Sequence, residues 1–343
     1  MFVAAIVYGL LVGASWFVRH ARKPAGDDAG LLDRAMVVRA VDGDRLTDES
    51  IRIAYRDYPA ASGRALATVV MIHGSPGAKE DFARLAPVLA ATSRVVVPDL
   101  PGFGGSTRDL PDYSFRGHAL YLRQLIDRLG LPPVHVVAYS MGGGVALNLI
   151  DAAPGRVASL ALLSAIGVQE MELTGSYHIN HLLHAGQLAL VWLLREGTPH
   201  MGRLDDVALG VPYARNFYDS DQRPLRGIIR RVGVPTLIVH GSDDELVPIE
   251  AAYEHHRLIP QSELATIAGD HLVAFTSAPV VGGRIGDFVR RAAEGRAPPR
   301  SEADPSRMQA ADQPFTNAFM PRMRRVAALV TAILTGLGKG LFR

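Results

Sequence analysis

Val134-His135-Val136-Val137-Ala138-Tyr139-Ser140-Met141-Gly142-Gly143-Gly144-Val145-Ala146 is the stretch of sequence that decides the fold of this chain. It predicts a short β-branched strand, an abrupt corner of small residues with Ser140 at its tip, and the start of a helix. A serine hydroxyl is a weak nucleophile until a base removes its proton, so chemistry at Ser140 requires exposure and a partner. A sharp turn provides the exposure, and the free N–H groups of the helix N-terminus favour a developing oxyanion. Such a turn brings backbone segments close together, which requires small residues such as Ala138 and Gly142.

The five residues 138–142 resemble the nucleophile elbow of the α/β-hydrolase family, G-x-S-x-G, with Ala138 in place of the first glycine. The resemblance implies that Ser140 is a catalytic nucleophile, and that an acid and then a histidine follow it along the chain. It also implies that the backbone N–H of Met141 is one donor of an oxyanion hole. The alternative is a glycine-rich turn whose serine only caps the helix.

A second motif, His73-Gly74-Ser75-Pro76-Gly77, follows a predicted strand at 68–72 and is similar to the HGxxG turn of the same family. The resemblance implies that the backbone N–H of Ser75 is the second oxyanion donor, and an ordinary loop is the alternative. Backbone donors are already oriented before charge develops, and one of them typically lowers the barrier by about 3–4 kcal/mol. The segment 99–106 after the next strand is also typical of the family and is interpreted as structural. Around these turns we expect substrate contacts from His73, Gly74, Phe103 and Tyr139.

The acid and the base are predicted from two later segments. Residues 240–248 follow a strand and resemble the family pattern Gly-x-x-Asp-x-x-Val-Pro, which implies that Asp244 is the acid of the triad. Asp243 is the rival on the register of that motif, and a turn-capping aspartate is the structural alternative. His271 lies in the loop after the predicted strand at 264–267, and no histidine follows it. We therefore expect His271 to be the general base.

The rest of the chain predicts an α/β fold. Nearly continuous apolar runs at 68–72, 94–97, 159–165 and 236–240 are typical of parallel strands buried on both faces. Helical spacing at 80–91, 113–129 and 145–151 lies between them, and two alternating strands at 35–41 and 50–55 precede them. This alternation predicts a mostly parallel central sheet flanked by helices, with a helical cap inserted between two core strands. The predicted divisions are a transmembrane anchor at 1–18, a linker at 19–34, the first part of the hydrolase core at 35–166, a helical cap at 167–233, the second part of the core at 234–291, a flexible linker at 292–316 and a basic amphipathic membrane-surface tail at 317–343.

The predicted cap interrupts the alternation of strands and helices. It contains helical patterns at 178–194 and 205–209, and a structureless loop of its length is improbable within a compact domain. Tyr177 and Trp192, with Leu193 and Leu194, suggest an apolar acyl pocket, whereas Glu170 and Glu172 would serve a peptidase that holds a substrate amine. His178, His181 and His184 lie on one broad helix face; we expect them to line the cap rather than bind metal, because carboxylates at ligand spacing are absent.

The N-terminal segment 2–18 is apolar and uncharged, and basic residues follow it directly. Its length is just sufficient to span a bilayer as an uncleaved anchor, while a cleaved signal peptide is the alternative. The basic flank favours an inner-membrane protein of bacterial type with a cytoplasmic hydrolase domain; a periplasmic domain is the alternative. Gly9 and Gly13, with Ala5, form a small-residue face that allows a homodimer through this helix.

Composition limits the classes of function. The chain has 343 residues, 48% hydrophobic and 20% charged, with a net charge of +2 and no cysteine. The charge argues against nucleic acid as the partner, and the lack of cysteine excludes disulfides, thiol catalysis and cysteine-ligated zinc. We expect no cofactor and no metal. The sequence predicts a membrane-tethered serine hydrolase that cleaves esters of acyl lipids or other small amphiphiles, as esterases, lipases and phospholipases do. A C–C bond hydrolase, a thioesterase, an iminopeptidase and a catalytically silent membrane scaffold are the alternatives.

Overall fold

The computed structural model of the chain describes residues 2–21, 32–205 and 210–296. Within these residues, eight strands form one sheet in the order β1-β2-β4-β3-β5-β6-β7-β8. The strands are β1 (Asp33–Asp42), β2 (Arg45–Tyr58), β3 (Thr68–Ile72), β4 (Arg94–Pro98), β5 (Val134–Tyr139), β6 (Val157–Leu163), β7 (Thr236–Gly241) and β8 (Glu263–Ile267). The α-helices are α1 (Phe2–Ala21), α2 (Ala86–Ala90), α3 (Phe115–Arg128), α4 (Gly142–Ala152), α5 (Tyr177–Gly197), α6 (Val211–Asp219), α7 (Leu225–Arg230), α8 (Ile249–Leu258), α9 (Val273–Thr276) and α10 (Ala278–Ala293).

The sheet is antiparallel at one edge and parallel elsewhere. The hairpin β1–β2 joins β4 in antiparallel pairing, and β3 to β8 pair in parallel. All five residues of β3 and all six of β5 are buried, as continuous apolar strands covered on both faces should be. The predicted fold class, an α/β-hydrolase sheet that is mostly parallel and flanked by helices, is confirmed.

The two faces of the sheet carry different helices because side chains alternate along a strand. Val70 and Val136 belong to the larger core cluster, with residues of α3, α4, α7 and α8. Val69 and Val137 belong to the smaller cluster, with α2 and α10. Parallel strands also end at the same edge of the sheet, so the loops that carry Ser75, Ser140, Asp244 and His271 all leave from one side.

The predicted helix at 80–91 is wrong in one respect. The structure divides it into a 3-10 helix, Lys79–Ala83, and α2, which begins afresh with Pro87 in its first turn. Proline has no N–H to donate back along a helix, so one continuous helix through Pro87 would lose a hydrogen bond. The predicted core side chains Phe82, Leu85 and Leu89 are nevertheless all buried.

Among its described residues, the region predicted as a cap contains three α-helices and a short 3-10 helix, Gln169–Met171. The predicted helix at 178–194 is confirmed as α5, α6 was not predicted, and the pattern at 205–209 lies outside the described residues except for Asp205. Helix α7 was also missed, and it corrects the predicted boundary at 233. Leu225 and Ile229 of α7 are buried in the larger core cluster, so apolar packing assigns this helix to the core rather than to the cap.

At the ends of the chain the described elements overlap the predicted linkers. Helix α1 extends to Ala21 and β1 starts at Asp33, so both enter the predicted linker 19–34. Helix α10 ends at Ala293, just inside the predicted linker 292–316. The predicted tail 317–343 lies outside the described residues.

Candidate active site

Ser140 lies at the corner between β5 and α4. Its φ angle is +53°, a left-handed conformation that non-glycine residues rarely adopt and that is typical of a strained nucleophile elbow. Its backbone N–H donates to the Leu163 carbonyl at 2.9 Å, which fixes the corner to β6. A Cβ atom at Gly142 would lie 2.7 Å from the carbonyl oxygens of Ile72 and His73. The glycine is therefore required by the close approach of the turn that follows β3.

His271 and Asp244 form a hydrogen-bonded chain with this serine. His271 Nε2 lies 2.9 Å from Ser140 Oγ, and His271 Nδ1 lies 2.7 Å from Asp244 Oδ2. Asp244 and His271 are both buried. An ionised carboxylate can only accept a hydrogen bond, so Nδ1 carries the hydrogen and the Nε2 lone pair is directed at the serine hydroxyl. The arrangement can therefore remove a proton from Ser140.

The loop after β7 selects Asp244 over its neighbour. Asp244 Oδ1 accepts hydrogen bonds from the backbone N–H groups of Leu246 (3.0 Å) and Val247 (2.9 Å), which leaves Oδ2 for His271. The rival Asp243 is exposed, and its carboxylate accepts from Ser242 Oγ at 2.9 Å. The geometry thus favours Asp244, the carboxylate that the motif register indicated, over the rival Asp243.

A further histidine, His240, lies against the acid. Its Nε2 is 2.9 Å from the Val247 carbonyl, so it donates there, and it is 3.4 Å from Asp244 Oδ2. Burial would raise the pKa of Asp244, but hydrogen bonds from His240 and His271 outweigh burial and hold that pKa well below its usual range. Sequence reasoning assigned no role to His240; the only available signal was a histidine at the end of β7, four residues before the acid.

The two predicted oxyanion donors flank the elbow. Ser75 follows Gly74, and a Cβ atom at Gly74 would lie 3.0 Å from Ser140 Cβ, so the two turns are in direct contact. Within the described part of the chain, the backbone N–H groups of Ser75 and Met141 donate no hydrogen bond. Free amides beside a nucleophile are available to an anionic oxygen.

Three residues predicted to contact substrate are buried and occupied elsewhere. His73 Nδ1 donates to the Gly74 carbonyl at 2.6 Å and Nε2 accepts from Leu100 N–H at 2.9 Å, so the ring supports its own turn. Phe103 is buried edge-on against His73. Tyr139 is buried and donates its hydroxyl proton to the His271 carbonyl at 3.2 Å. These contacts show that the three side chains support the turns around Ser140, and Gly74 allows the close approach of the two turns. Their contact with substrate stays a prediction.

The predicted acyl pocket on α5 is also not formed as expected. Trp192 is 57% exposed, and Leu193 and Leu194 are exposed beside it. Tyr177 stacks on His181, and the guanidinium carbon of Arg223 lies 3.5 Å from the centroid of the Tyr177 ring. The predicted pocket required Trp192, Leu193 and Leu194 to face the interior of the protein, whereas α5 directs them outward.

The polar residues of the predicted cap pair with one another. Glu170 forms an ion pair with Arg226 at 3.0 Å, and Glu172 accepts from Gln169 and Asn180 at 2.7 and 3.1 Å. Neither carboxylate of the peptidase alternative is therefore unoccupied. His178 is exposed, His181 stacks on Tyr218 and His184 stacks on Phe217. No group of metal-ligating side chains occurs among residues 2–21, 32–205 and 210–296.

Comparisons with known proteins identify relatives of this chain and proteins with a similar fold. A model of the alpha/beta hydrolase fold matches residues 67–192. The chain is 37% identical over 250 residues to the dihydrolipoyllysine-residue acetyltransferase component of the acetoin cleaving system of Cupriavidus necator, with 68% of this chain aligned, and it spans 64% of that relative's length. It is 33% identical over 228 residues to 2-hydroxy-6-oxononadienedioate/2-hydroxy-6-oxononatrienedioate hydrolase 2 of Pseudomonas putida, covering 59% of this chain and 80% of that protein. A thermophilic esterase from Thermogutta terrifontis has a similar fold, with a TM-score of 0.61, 20% identity, and coverage of 75% of this chain and 99% of the esterase.

Proposed function

The chain belongs to the α/β-hydrolase family, and from that premise we propose that it is a membrane-tethered serine hydrolase that cleaves carboxylic esters. Its proposed substrates are acyl lipids or other amphiphilic esters, and its proposed catalytic residues are Ser140, His271 and Asp244. The observation that carries the proposal is the hydrogen-bonded chain with distances of 2.9 and 2.7 Å between these three side chains.

The proposed reaction proceeds through an acyl-enzyme. Ser140 Oγ attacks the ester carbonyl while His271 Nε2 takes its proton, and the Asp244 carboxylate stabilises the imidazolium that forms. The oxyanion is held by the N–H groups of Ser75 and Met141. His271 then gives the proton to the leaving alcohol, and a water activated by the same imidazole releases the acid.

A fluorophosphonate probe tests this assignment. Wild-type protein should be labelled, and Ser140→Ala should lose labelling together with at least about 10³-fold of its ester turnover. Ser75→Ala is the matched control, because this variant keeps the backbone N–H that the proposal uses. Absence of labelling in folded wild-type protein would contradict the proposal and favour a catalytically silent scaffold.

A C–C bond hydrolase is a second candidate, and the 33% identical relative named for a dienedioate substrate favours it. Parallel turnover of a nitrophenyl ester series and a ring-cleavage dienone would decide between the two. If the substrate is an amphiphilic ester, we expect a higher kcat/KM for the esters than for the dienone, with values that rise with acyl-chain length. A preference for the dienone would replace the ester proposal with the C–C hydrolase.

The proposed membrane tether is helix α1. Among the described residues, Phe2–Arg19 is the one helical window long and apolar enough to cross a bilayer, and a signal sequence has the same properties. We propose an uncleaved anchor with the hydrolase domain in the cytoplasm, as the basic flank favours. The protein should stay in the membrane pellet after alkaline carbonate extraction, with its N-terminal residues present by mass spectrometry. Protease should not reach the domain in intact spheroplasts; digestion there would reverse the orientation.

A further inference from the structure

Helix α5 is apolar on the side that faces away from the protein. We define its outer face as Ile179, Leu182, Leu183, Gly186, Leu190 and Leu193, which recur at three- and four-residue intervals and so share one side of the helix. The five large side chains are between 47% and 71% exposed. A surface helix normally has polar residues on this side. Residues 173–194 contain no Asp, Glu, Lys or Arg at all.

The opposite side of α5 is polar and buried. Asn180 and His184 are buried, and Asn180 donates to Glu172 while accepting from Thr174. Burial would raise the pKa of Glu172, but the approach of His184 Nε2 to 3.5 Å and hydrogen bonds from Asn180 and Gln169 outweigh burial and lower that pKa. The helix is therefore inverted relative to a water-exposed helix, with polar groups inside and leucines outside. Such an arrangement is stable where the surroundings of the outer face are themselves apolar.

Helix α1 is arranged in the same way and contacts the C-terminal end of α5. Tyr8, Ser15 and Arg19 lie on one stripe of α1: the Tyr8 hydroxyl donates to the Gly197 carbonyl, and Ser15 Oγ accepts from Met201 N–H at 2.8 Å. The Arg19 side chain is only 4% exposed and pairs with Glu196 and Asp205, both at 3.0 Å. Polar groups of α1 thus face the protein, while Phe2, Val3, Leu10 and Phe17 are exposed.

We propose that the outer face of α5 is a second membrane-contacting surface, which lies in the lipid interface beside the anchor α1. This inference rests on the membrane tether of the proposed function. A bilayer is the surrounding that fits both helices. The anchor α1 contacts α5 directly, so both would lie at the same membrane. Neither residues 8–17 of α1 nor residues 173–194 include Asp, Glu, Lys or Arg. A protein interface would be expected to carry charged residues at its rim, which residues 173–194 lack. An apolar helical face with this position is suited to lie at the headgroup–acyl boundary.

The chain offers a clean test because it contains no cysteine. Single substitutions Leu183→Cys and Leu190→Cys place an environment-sensitive fluorophore on the outer face of α5 in the full-length protein. Val280→Cys on α10 is the matched control, since Val280 is a similarly exposed apolar residue on a different helix. Leu10→Cys on α1 reports the anchor. The labelled proteins are reconstituted in phosphatidylcholine–phosphatidylglycerol vesicles with and without lipids that carry a nitroxide on the acyl chain.

We expect the lipid nitroxide to quench the labels at 183, 190 and 10, and to leave the label at 280 unchanged. Quenching at 10 without quenching at 183 and 190 would overturn the inference while leaving the tether in place. A disulfide-linked dimer of Leu190→Cys formed in preference to lipid quenching would identify a second copy of the chain as the occupant and also overturn it. Fluorophosphonate labelling of Ser140 in the same samples reports folding and the hydrolase assignment separately, so failure of one proposal is distinguishable from failure of the other.

Discussion

At the level of single residues, the orientation of Asp244 depends on its neighbours. Two backbone amides hold Oδ1, and His271 and His240 lie 2.7 and 3.4 Å from Oδ2. A buried carboxylate with four polar neighbours stays ionised, so it can hold the imidazole of His271 in the tautomer that the proposed mechanism needs. His240 is thus a positioning residue for the acid.

The substitution His240→Leu should therefore lower kcat about tenfold with KM nearly unchanged, because the Val247 carbonyl loses its donor and the loop that holds Asp244 loosens. His240→Gln, which keeps an N–H donor, should restore part of the loss. The measurement is steady-state ester hydrolysis by both variants. Equal loss in both, or a change confined to KM, would contradict a positioning role.

At the level of elements, the N-terminus of α4 is built for contact with β3 and its turn. Gly142 leaves no room for a side chain against the Ile72 and His73 carbonyls, and Gly144 none against the Phe115 ring. Backbone atoms cannot move aside as the end of a flexible side chain can. The close approach of α4 to the turn at Gly74 therefore depends on Gly142. This approach brings the Met141 and Ser75 amides to the same site.

The substitution Gly142→Ala should destabilise the fold by about 1–3 kcal/mol and reduce fluorophosphonate labelling, since the new methyl group would lie 2.7 Å from two carbonyl oxygens. Gly283→Ala in α10 is the control: nothing lies within 4 Å of its Cβ, and alanine favours a helix by about 0.5–1 kcal/mol. Denaturant unfolding of both variants measures the difference. Equal stability of the two would contradict the packing argument.

Helix α3 contributes an acid-sensitive group to the core. His118 is fully buried, packs near Phe103 and Tyr121, and has no hydrogen-bond partner on either ring nitrogen among the described residues. Burial, with a smaller effect of His73, lowers the pKa of His118 to about 3. An unfolded histidine has a pKa of about 6.5, so between these values the unfolded chain binds a proton that the folded protein excludes.

The free energy of unfolding must then decrease as the pH falls from about 6.5 towards 3. Over this range, protonation of His118 in the unfolded chain raises the unfolding equilibrium constant about tenfold per pH unit. His118→Phe should remove that contribution, so its melting temperature relative to wild type should rise as the pH is lowered from 7.5 to 4.5. Thermal unfolding at three pH values tests this, with exposed His178→Gln as the control. A difference between His118→Phe and wild type that does not change with pH would contradict the prediction.

At the level of the whole molecule, the anchor helix and the hydrolase are joined by a partly buried ion-pair cluster. Arg19 of α1 pairs with Glu196 at the end of α5 and with Asp205, and Arg195 also contacts Asp205 at 3.1 Å. These contacts connect a membrane-length helix to the segment that leaves α5. The orientation of the hydrolase relative to a membrane would follow from them.

Arg19→Gln should lower the stability of the detergent-solubilised protein by about 1–3 kcal/mol, because two carboxylates would lose their shared cation. Arg39→Gln is the control, since its partner Asp48 is fully exposed and such pairs contribute about 0.2–1 kcal/mol. Thermal unfolding in the same detergent compares them. Indistinguishable melting temperatures would indicate that α1 is not held by this cluster.

The sequence alone determined the sheet and the order of the proposed catalytic residues, because both depend on local signals. Buried parallel strands such as 68–72 and 134–139 are continuous apolar runs, and a small-residue corner around Ser140 is recognisable from a few adjacent residues. The break at Pro87 is equally local, because proline has no N–H to donate along a continuous helix. The motif register favoured Asp244 over Asp243, but adjacent residues on one turn differ mainly in the direction of their side chains, and the contacts of each carboxylate depend on the tertiary structure.

Tertiary structure alone decided what each remaining side chain faces. His73, Phe103 and Tyr139 are next to the site in sequence, yet packing buries them as supports. Trp192 and the leucines of α5 have the spacing of an amphipathic helix, and spacing does not tell which side of a helix is inside. His240 meets Asp244 only because the loop after β7 folds back on the strand end. Periodicity specifies which residues share a face, whereas burial is fixed by elements far apart in the chain.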